Sequence, residues 1–588
     1  MAGKSRRVTP FVRHPGLVSG AVEARAYQLQ ALDESISGSM LLVLPTSAGK
    51  TAVAMMAIAE SLVSKDGWVL VVAPTVALVN QHLKSAQKMI SDVDGLPPIS
   101  ISGSQSSQKR ALLWGSSRLI IATPHVVRND ALRGSLSLDE CSLMVVDEAH
   151  HCTGEHAMAK AASLYVSNCP NPLVLATTAS PGSSRNQVEE VCAKLGIRRI
   201  HLRTNQDPMI SGYLSNLEIS ETRVDVPRDI KELVVPFELW LQGIVEREKR
   251  LGRYVMTGVI SHSGLSNAME RAQAAISRGD SSGYRSSSQI ATAMRINHLI
   301  NHLLCQGIAA SRRFLKRMDI ESSRSRSAKS FLTDPRVNDL KDILEGMPEI
   351  HSKVSAVRRL VRERIRHFPD SRIIVFANYR DTVEALEGAI KDLEGVRPIQ
   401  FIGQASRGGS GGLTAKEQIE RLEKFRSGEK NILVATSVGE EGLDIPSADL
   451  VVFYEPVSSE IRTIQRRGRT GRKREGSVAV LIAEGTRDEG AMLASSKKEF
   501  YMNRAVRRVS RSLTSVPQTN LSNISKFKVD GDFGTSPASD FVIDAREKSR
   551  MDLSEKDETP VSEREVVDQS KLSPERFRPS GQTGLENY

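Results

Sequence analysis

The residues with the clearest chemical potential lie in Leu143 to His151, LMVVDEAHH, where four aliphatic residues end in two adjacent carboxylates. Such a run reads as a strand buried on both faces, and open α/β sheets place their ligands where such strands end. Asp147 suits a Mg²⁺ ion that keeps most of its own waters, and Glu148 suits polarisation of an attacking water. Taken alone, the pair reads equally well as the acidic first turn of a helix, because carboxylates favour helix N-termini. The complement lies about a hundred residues earlier, where the strand Leu41 to Leu44 runs into PTSAGKT, Pro45 to Thr51, and then into an Ala- and Met-rich helix. Strand, Gly-Lys-Thr turn and helix are the context of a phosphate-binding loop. The loop Pro45, Thr46, Ser47, Ala48, Gly49 would present backbone N–H groups at the helix start to phosphate oxygens. Lys50 would reach the β- and γ-phosphates, and the Thr51 hydroxyl would join Asp147 on Mg²⁺. One departure stands out: the strict pattern GxxxxGK[ST] needs glycine at 44, where this chain carries Leu44.

The elements that must position these groups follow from the apolar runs. Trp68 to Ala73, Arg118 to Ala122 and Leu173 to Ala176 are further strands, followed by PTVALVNQH, by Thr123-Pro124-His125 and by TTASPG. Buried strands alternating with helical stretches predict a doubly wound parallel sheet. From about 206 to 345 this pattern lapses, apart from an edge-type alternation over Leu217 to Val226; the 3–4 spacing of Ile296, Leu299, Ile300, Leu303 and Leu304 predicts core-facing helices. Arg312, Arg313, Lys316 and Arg317 form two i,i+4 basic pairs that read either as phosphate-backbone contacts or as a solvated helix face. Ser- and Arg-rich stretches at 278–288 and 322–330 read as mobile loops.

Strands return at Ile373 to Ala377, Ile399 to Ile402, Ile432 to Ala435, Leu450 to Tyr454 and Ser477 to Ile482, with a capping box, Thr414 to Glu417, opening a helix. This second unit has no phosphate loop. It has QRRGRTGR, Gln465 to Arg472, whose arginines read as a basic patch or as fingers for a γ-phosphate held by the first unit.

The chain has 588 residues, 40% hydrophobic and 25% charged, with a net charge of +11, and this length exceeds one core. The basic balance suits a polyanionic partner. Five cysteines show no CxxC pairing, which argues against a zinc site or a disulfide framework and for a reducing compartment. No apolar run approaches the roughly 20 residues of a membrane span, and MAGKSRRVTP lacks the apolar stretch of a secretion signal. From 513 onward the composition is that of a disordered tail, in which Gln518, Leu521 and Ile524 carry the spacing of a sliding-clamp peptide.

The order PTSAGKT, APTVALVNQH, IIATPHVV, VVDEAHH and TTASPG resembles motifs I, Ia, Ib, II and III of superfamily 2 helicases. The resemblance implies two RecA-like domains, with Gln28 where an adenine-reading glutamine stands and Thr75 and Thr123 along the nucleic-acid track. It puts Thr178 and Ser180 where the ATP state is coupled to nucleic-acid grip, with His150 joining those contacts; His151 and Cys152 beside it read as structural. ATSVGEEGLDIP resembles motif V, which implies Thr436 and Gly439 near a nucleic-acid phosphate and Asp444 near the ribose. Arg469 and Arg472 match the family's finger positions, and Gln465 matches their companion. The string from Gly403 to Pro446, with IIVFANYRDT and the helical insert, resembles the archaeal Hef and animal FANCM branch, relatives of the Dicer and RIG-I-like helicases.

The implied organisation is a flexible basic segment 1–20, a RecA-like ATP-binding domain 21–225, a helical insert 226–348 that contacts nucleic acid, a second RecA-like domain 349–512 and a disordered tail 513–588. The implied activity is that of an ATP- and Mg²⁺-dependent DNA helicase or translocase. It would move 3′ to 5′ on a single-stranded track at forked or branched repair intermediates, in a prokaryotic cytosol or nucleoid or in a nucleus. The clamp-like spacing makes a sliding clamp a candidate partner, and no GDxxERKxxxD-like nuclease string is present, so DNA cutting is not expected of this chain and a separate nuclease subunit is a further candidate. A double-stranded-RNA-stimulated ATPase and a non-catalytic nucleic-acid-binding scaffold remain alternatives.

Overall fold

The computed structural model describes residues 9–558 apart from 46–47, 93–94, 205–206, 212, 214–217, 323–325, 404–412, 437–447, 457–476, 514–519 and 532–533. After a short strand β1 (Phe11–Arg13), seven strands build the first parallel sheet: β2 (Met40–Val43), β3 (Trp68–Val72), β4 (Ile99–Ile101), β5 (Leu119–Ala122), β6 (Cys141–Asp147), β7 (Val174–Thr178) and β8 (Arg199–Leu202). Their order across the sheet is β4-β5-β3-β6-β7-β2-β8. The central strands are buried along both faces, as their unbroken aliphatic runs require, and each face packs its own core under helices. Crossovers bring the carboxyl ends of β2, β6 and β7 side by side, so residues distant in sequence meet at one edge.

The second sheet holds β9 (Glu218–Val224), β10 (Ile373–Ala377), β11 (Pro398–Phe401), β12 (Ile432–Thr436), β13 (Leu450–Phe453) and β14 (Ser477–Ala483), in the order β11-β12-β10-β13-β14-β9. Here the structure departs from the sequence-based boundary at 225. The edge strand expected to close the first domain pairs in parallel with β14 over Glu218 to Val224 and therefore belongs to the second sheet. The capping box forms as expected: Thr414 Oγ1 accepts from the Glu417 N–H at 3.3 Å, and Glu417 Oε2 accepts from the Thr414 N–H at 2.7 Å.

Between β9 and β10 the chain forms a helical insert with its own apolar core, centred on Phe237, Leu265, Ile296, Leu299 and Phe331. The Ser-rich stretch expected to be a loop at 278–288 instead enters the long helix Ser282–Cys305, whose buried face begins at Gly283 and Ser286. Much of 322–330 likewise lies in the helix Arg326–Leu332; residues 323–325 lie outside the described residues. The end of an insert helix meets the second lobe at a buried ion pair within that lobe. Lys353 Nζ lies 2.8 Å from Asp488 Oδ2, donates to the Cys305 carbonyl at 3.0 Å and sits 4.4 Å from the Tyr454 ring centre.

The ends of the chain also differ from expectation. β1 pairs antiparallel with β15 (Lys528–Gly531), which forms a hairpin with β16 (Gly534–Pro537), and the helix Ala538–Glu558 packs on the first helix, Ala26–Ser37. His14 stacks on Phe527 with ring centres 4.1 Å apart, and Asp33 accepts from the Asn523 N–H at 3.0 Å. The expected disordered tail therefore contributes ordered structure between 520 and 558, because Phe527, Val529 and Val542 supply enough apolar surface to dock. Leu521 and Ile524, two members of the clamp-like spacing, are buried in the first-lobe core, and Gln518 lies outside the described residues. Among the described residues, no helix is long and apolar enough to cross a membrane.

Candidate nucleotide site and nucleic-acid track

The phosphate loop follows β2 without a break in packing. Leu44 is fully buried, and its N–H reaches the Thr178 carbonyl at 3.4 Å, so the position where the strict pattern has glycine serves here as a core residue. Thr46 and Ser47 lie outside the described residues; Pro45, Ala48, Gly49, Lys50 and Thr51 are placed. Gly49 turns the chain into the helix Lys50–Ser64 with φ 80° and ψ 38°, a left-handed conformation that glycine adopts without penalty. Close approach demands glycine as well, since a Cβ at this position would fall 2.1 Å from Gln28 Nε2. Gln28 and its neighbour Tyr27 both donate to the Ala48 carbonyl, at 2.9 and 2.8 Å, and so hold the loop from behind. Lys50 leads the helix, its ammonium 3.3 Å from the Leu44 carbonyl, with Thr51 following.

The two carboxylates emerge at the end of β6, beside this loop. Asp147 Oδ1 accepts from the Thr177 hydroxyl at 2.7 Å, and Oδ2 accepts from His82 Nε2–H at 2.7 Å. Burial works against ionisation, but His82, Thr177 and the Lys50 charge outweigh it and hold Asp147 well below the usual carboxylate range. Glu148 is left-handed, with φ 52° and ψ 50°, an uncommon conformation for a residue bearing a side chain and one that concentrates at functional sites. His150 Nδ1 sits 3.3 Å from Glu148 Oε2 and 3.3 Å from Thr178 Oγ1. Thr178 Oγ1 in turn accepts from the Ser180 N–H at 3.1 Å. A continuous polar path thus runs from the candidate water-activating carboxylate through His150 into the segment after β7. His151 stacks on His156 and lies tilted against His150, and burial together with those two rings pulls it down to about 4, so it is a neutral packing group near pH 7.

An ionised carboxylate with both oxygens oriented, a hydroxyl at the second helical position and a loop whose glycine opens the helix N-terminus fit a triphosphate with Mg²⁺. Tyr27, Thr177 and His82 were not legible in sequence as parts of this site. His82 ends the PTVALVNQH stretch, 65 residues before its partner, and no local pattern marks it.

Thr75 caps the helix Val76–Met89, accepting from the Leu78 N–H at 3.3 Å, and Thr123 precedes the helix Pro124–Leu132; both stand at carboxyl ends of first-sheet strands. Thr436 ends β12, buried, with its hydroxyl oxygen unpartnered among the described residues. Gly439, Asp444, Gln465, Arg469 and Arg472 lie outside the described residues.

The basic quartet of the insert is engaged within the protein. Arg312 donates to the Leu344 and Met347 carbonyls, Arg313 lies 3.5 Å from Glu384, Lys316 2.8 Å from Glu345 and Arg317 2.6 Å from Asp381. Arg313 and Arg317 thereby tie the insert to the second-lobe helix Arg380–Ile390, while Arg312 and Lys316 pair within the insert; the sequence left phosphate contact and a solvated helix face both open for these residues.

Comparison with known proteins places this geometry in context. Residues 25–188 match the DEAD/DEAH box helicase family, 352–474 the helicase conserved C-terminal domain, and 248–345 the helical bundle of putative ATP-dependent RNA helicases. The chain is 36% identical over 497 residues to a putative ATP-dependent RNA helicase of Methanocaldococcus jannaschii, spanning 84% of this chain and 62% of that protein. It is 30% identical over 483 residues to the ATP-dependent DNA helicase mph1 of Neurospora crassa, spanning 79% of this chain and 41% of that one. The crystal structure of the Pyrococcus furiosus Hef helicase domain superposes with a TM-score of 0.61 at 35% identity, covering 80% of this chain and 98% of that domain. The chain thus spans less than two thirds of the length of these two full-length relatives, but nearly all of the solved domain.

Proposed function

The chain belongs to the superfamily 2 helicases of the Hef and FANCM type, and from that premise we propose that it is an ATP-driven DNA translocase. We assign it a 3′ to 5′ direction on one strand of forked or branched repair intermediates. The observation that carries the reading is the joint geometry of the loop Ala48 to Thr51 and the oriented Asp147–Glu148 pair.

When bound, ATP with Mg²⁺ supplies the phosphoanhydride whose cleavage drives motion. The residues of this chain do the rest. Lys50 and the N–H groups at the start of the helix Lys50–Ser64 neutralise phosphate charge, and Thr51 with Asp147 forms the metal-facing pair. Glu148 orients and deprotonates the attacking water, and His150 passes the state of that carboxylate to Thr178 and Ser180. Arg469 and Arg472 are assigned as the second-lobe fingers that complete the site on closure, with Gln465 beside them; Asp444 is assigned to the ribose, and Thr436, Gly439, Thr75 and Thr123 to the strand. Opening and closing of the two lobes then advances the strand.

A second reading, an ATPase stimulated by double-stranded RNA, draws on the RNA-helicase description of the insert family and of the Methanocaldococcus relative. ATPase assays with single-stranded DNA, forked DNA and double-stranded RNA separate the two. Stimulation by DNA is expected, and stimulation by RNA alone would favour the second reading. Lys50→Ala is expected to abolish turnover while DNA binding persists; full turnover in that variant would refute the site.

A further inference from the structure

The second sheet has its own crevice. Its strand order reverses at β10: the chain goes from there to the edge strand β11 and back to β12 on one side, and then to β13 and β14 on the other. Ligands of open α/β sheets favour such switch points, just beyond the carboxyl ends of the strands. Over this point the insert helix Ser282–Cys305 lies against Tyr379, which follows β10, and Arg487, which follows β14. Between them is a cavity of about 470 Å³ lined by His262, Arg295, His298, Asn301, Tyr379 and Arg487 among others.

The chemistry of this lining has one sign. Arg295 keeps Nη1 enclosed with no hydrogen-bond partner among the described residues, an expensive state for a cation unless an anion meets it. Arg487 donates to the Tyr379 hydroxyl at 3.1 Å, leaving further guanidinium donors. Among the described residues, none that lines the cavity is acidic; Glu455, which acts on Arg487 from the sheet side, is buried, and burial raises its pKa and so favours the neutral acid. Burial first, and then the charges of Arg487, Arg317 and His262, pull His298 down to about 4, so it is neutral near pH 7. Tyr379 and His298, with ring centres 5.3 Å apart, add aromatic faces. The cavity exceeds what a lone phosphate fills and combines donors with rings, the pairing that tracks a nucleic-acid strand.

A nucleoside triphosphate fits poorly here. The helix Arg380–Ile390 opens without a glycine turn, and its first-turn carboxylate, Asp381, is already paired with Arg317.

Resting on the translocase reading, we propose that this cavity is a backbone-phosphate site for the nucleic-acid strand, formed jointly by the insert and the second lobe, with Arg295 as its principal ligand.

The test is binding of a fluorescent single-stranded oligonucleotide to the full chain across a salt series. For single strands each phosphate contact contributes about 0.7 to the slope of log affinity against log salt. Arg295→Met is expected to lower that slope by about 0.7 irrespective of sequence, and Arg295→Lys to retain most of it. Asn301→Asp, which places a carboxylate in the cavity, is expected to weaken binding without removing a cation, and it remains informative should Arg295→Met unfold. A wild-type slope in both Arg295→Met and Asn301→Asp, each with a normal melting profile, overturns the assignment. So does an equal loss in Arg278→Met, an exposed arginine just past the far end of the helix His262–Ser277 from His262. If the wild-type chain binds no DNA strand at all, the translocase reading itself fails, a different result from either of these.

Discussion

His82 donates to Asp147 Oδ2 at 2.7 Å, which connects the helix Val76–Met89 to the carboxylate assigned to Mg²⁺ in the candidate nucleotide site. The same helix is capped by Thr75, assigned to the strand, so one rigid element bears both on the candidate track and on the carboxylate.

Groups that orient a metal ligand typically contribute 10- to 100-fold to metal affinity. His82→Ala is therefore expected to raise the Mg²⁺ concentration for half-maximal Mg·ADP binding by about tenfold, as read by calorimetry, with little change in the melting profile. His82→Gln, which can still donate, is expected to recover part of the loss. An unchanged Mg²⁺ requirement in His82→Ala would remove this role.

Gly49→Ala meets two obstacles, a left-handed backbone costing about 1–2 kcal/mol and the Gln28 amide in the path of the new methyl. Fluorescent-nucleotide affinity is expected to fall at least about tenfold. Adding Gln28→Ala clears the contact but not the backbone term, so the double variant is expected to bind better than the sum of the single losses implies. Strictly additive losses would contradict the contact.

His351 caps the helix Ser352–His367, its Nδ1 accepting from the Lys353 N–H at 3.1 Å while Nε2–H donates to the Leu304 carbonyl at 2.9 Å. Burial, aided by the Lys353 charge and opposed by the Leu304 carbonyl and Asp488, lowers it from 6.5 to about 4. Above pH 6.5 both folded and unfolded chains hold it neutral. Between pH 6.5 and 4 only the unfolded chain takes the proton, so stability is lost as pH falls, by about 3 kcal/mol at the lower limit. His351→Asn keeps a capping acceptor and does not titrate; its urea midpoint is expected to depend less on pH across this window. Parallel wild-type and variant curves would exclude the effect.

Phe527 is fully buried between His14 and the first-lobe core. Phe527→Ala is expected to cost about 3–5 kcal/mol. The loss should appear as early unfolding of the first lobe in denaturant and as faster proteolysis near 520–558. A ΔΔG below about 1 kcal/mol would mean that the segment adds little to the lobe.

Much of this protein was legible along the chain. The strands β2, β3, β5, β6 and β7 and the second-lobe strands β10, β12, β13 and β14 were apparent because an apolar run specifies a buried strand wherever it lies. The candidate phosphate loop and the carboxylates proposed to act with it could be picked out because a glycine turn before a helix, and acids after a strand, are local patterns. The sequence could not say which sheet β9 joins, since a seven-residue edge strand presents the same open hydrogen bonds to either. Nor could it say that Arg312, Arg313, Lys316 and Arg317 would be met by carbonyls and carboxylates from other helices, or that 520–558 would dock beside the helix Ala26–Ser37. Local pattern determines what an element is; its partners are selected by the packing of elements far apart in sequence, and that packing alone brings His82 to Asp147 and Arg295 to Arg487.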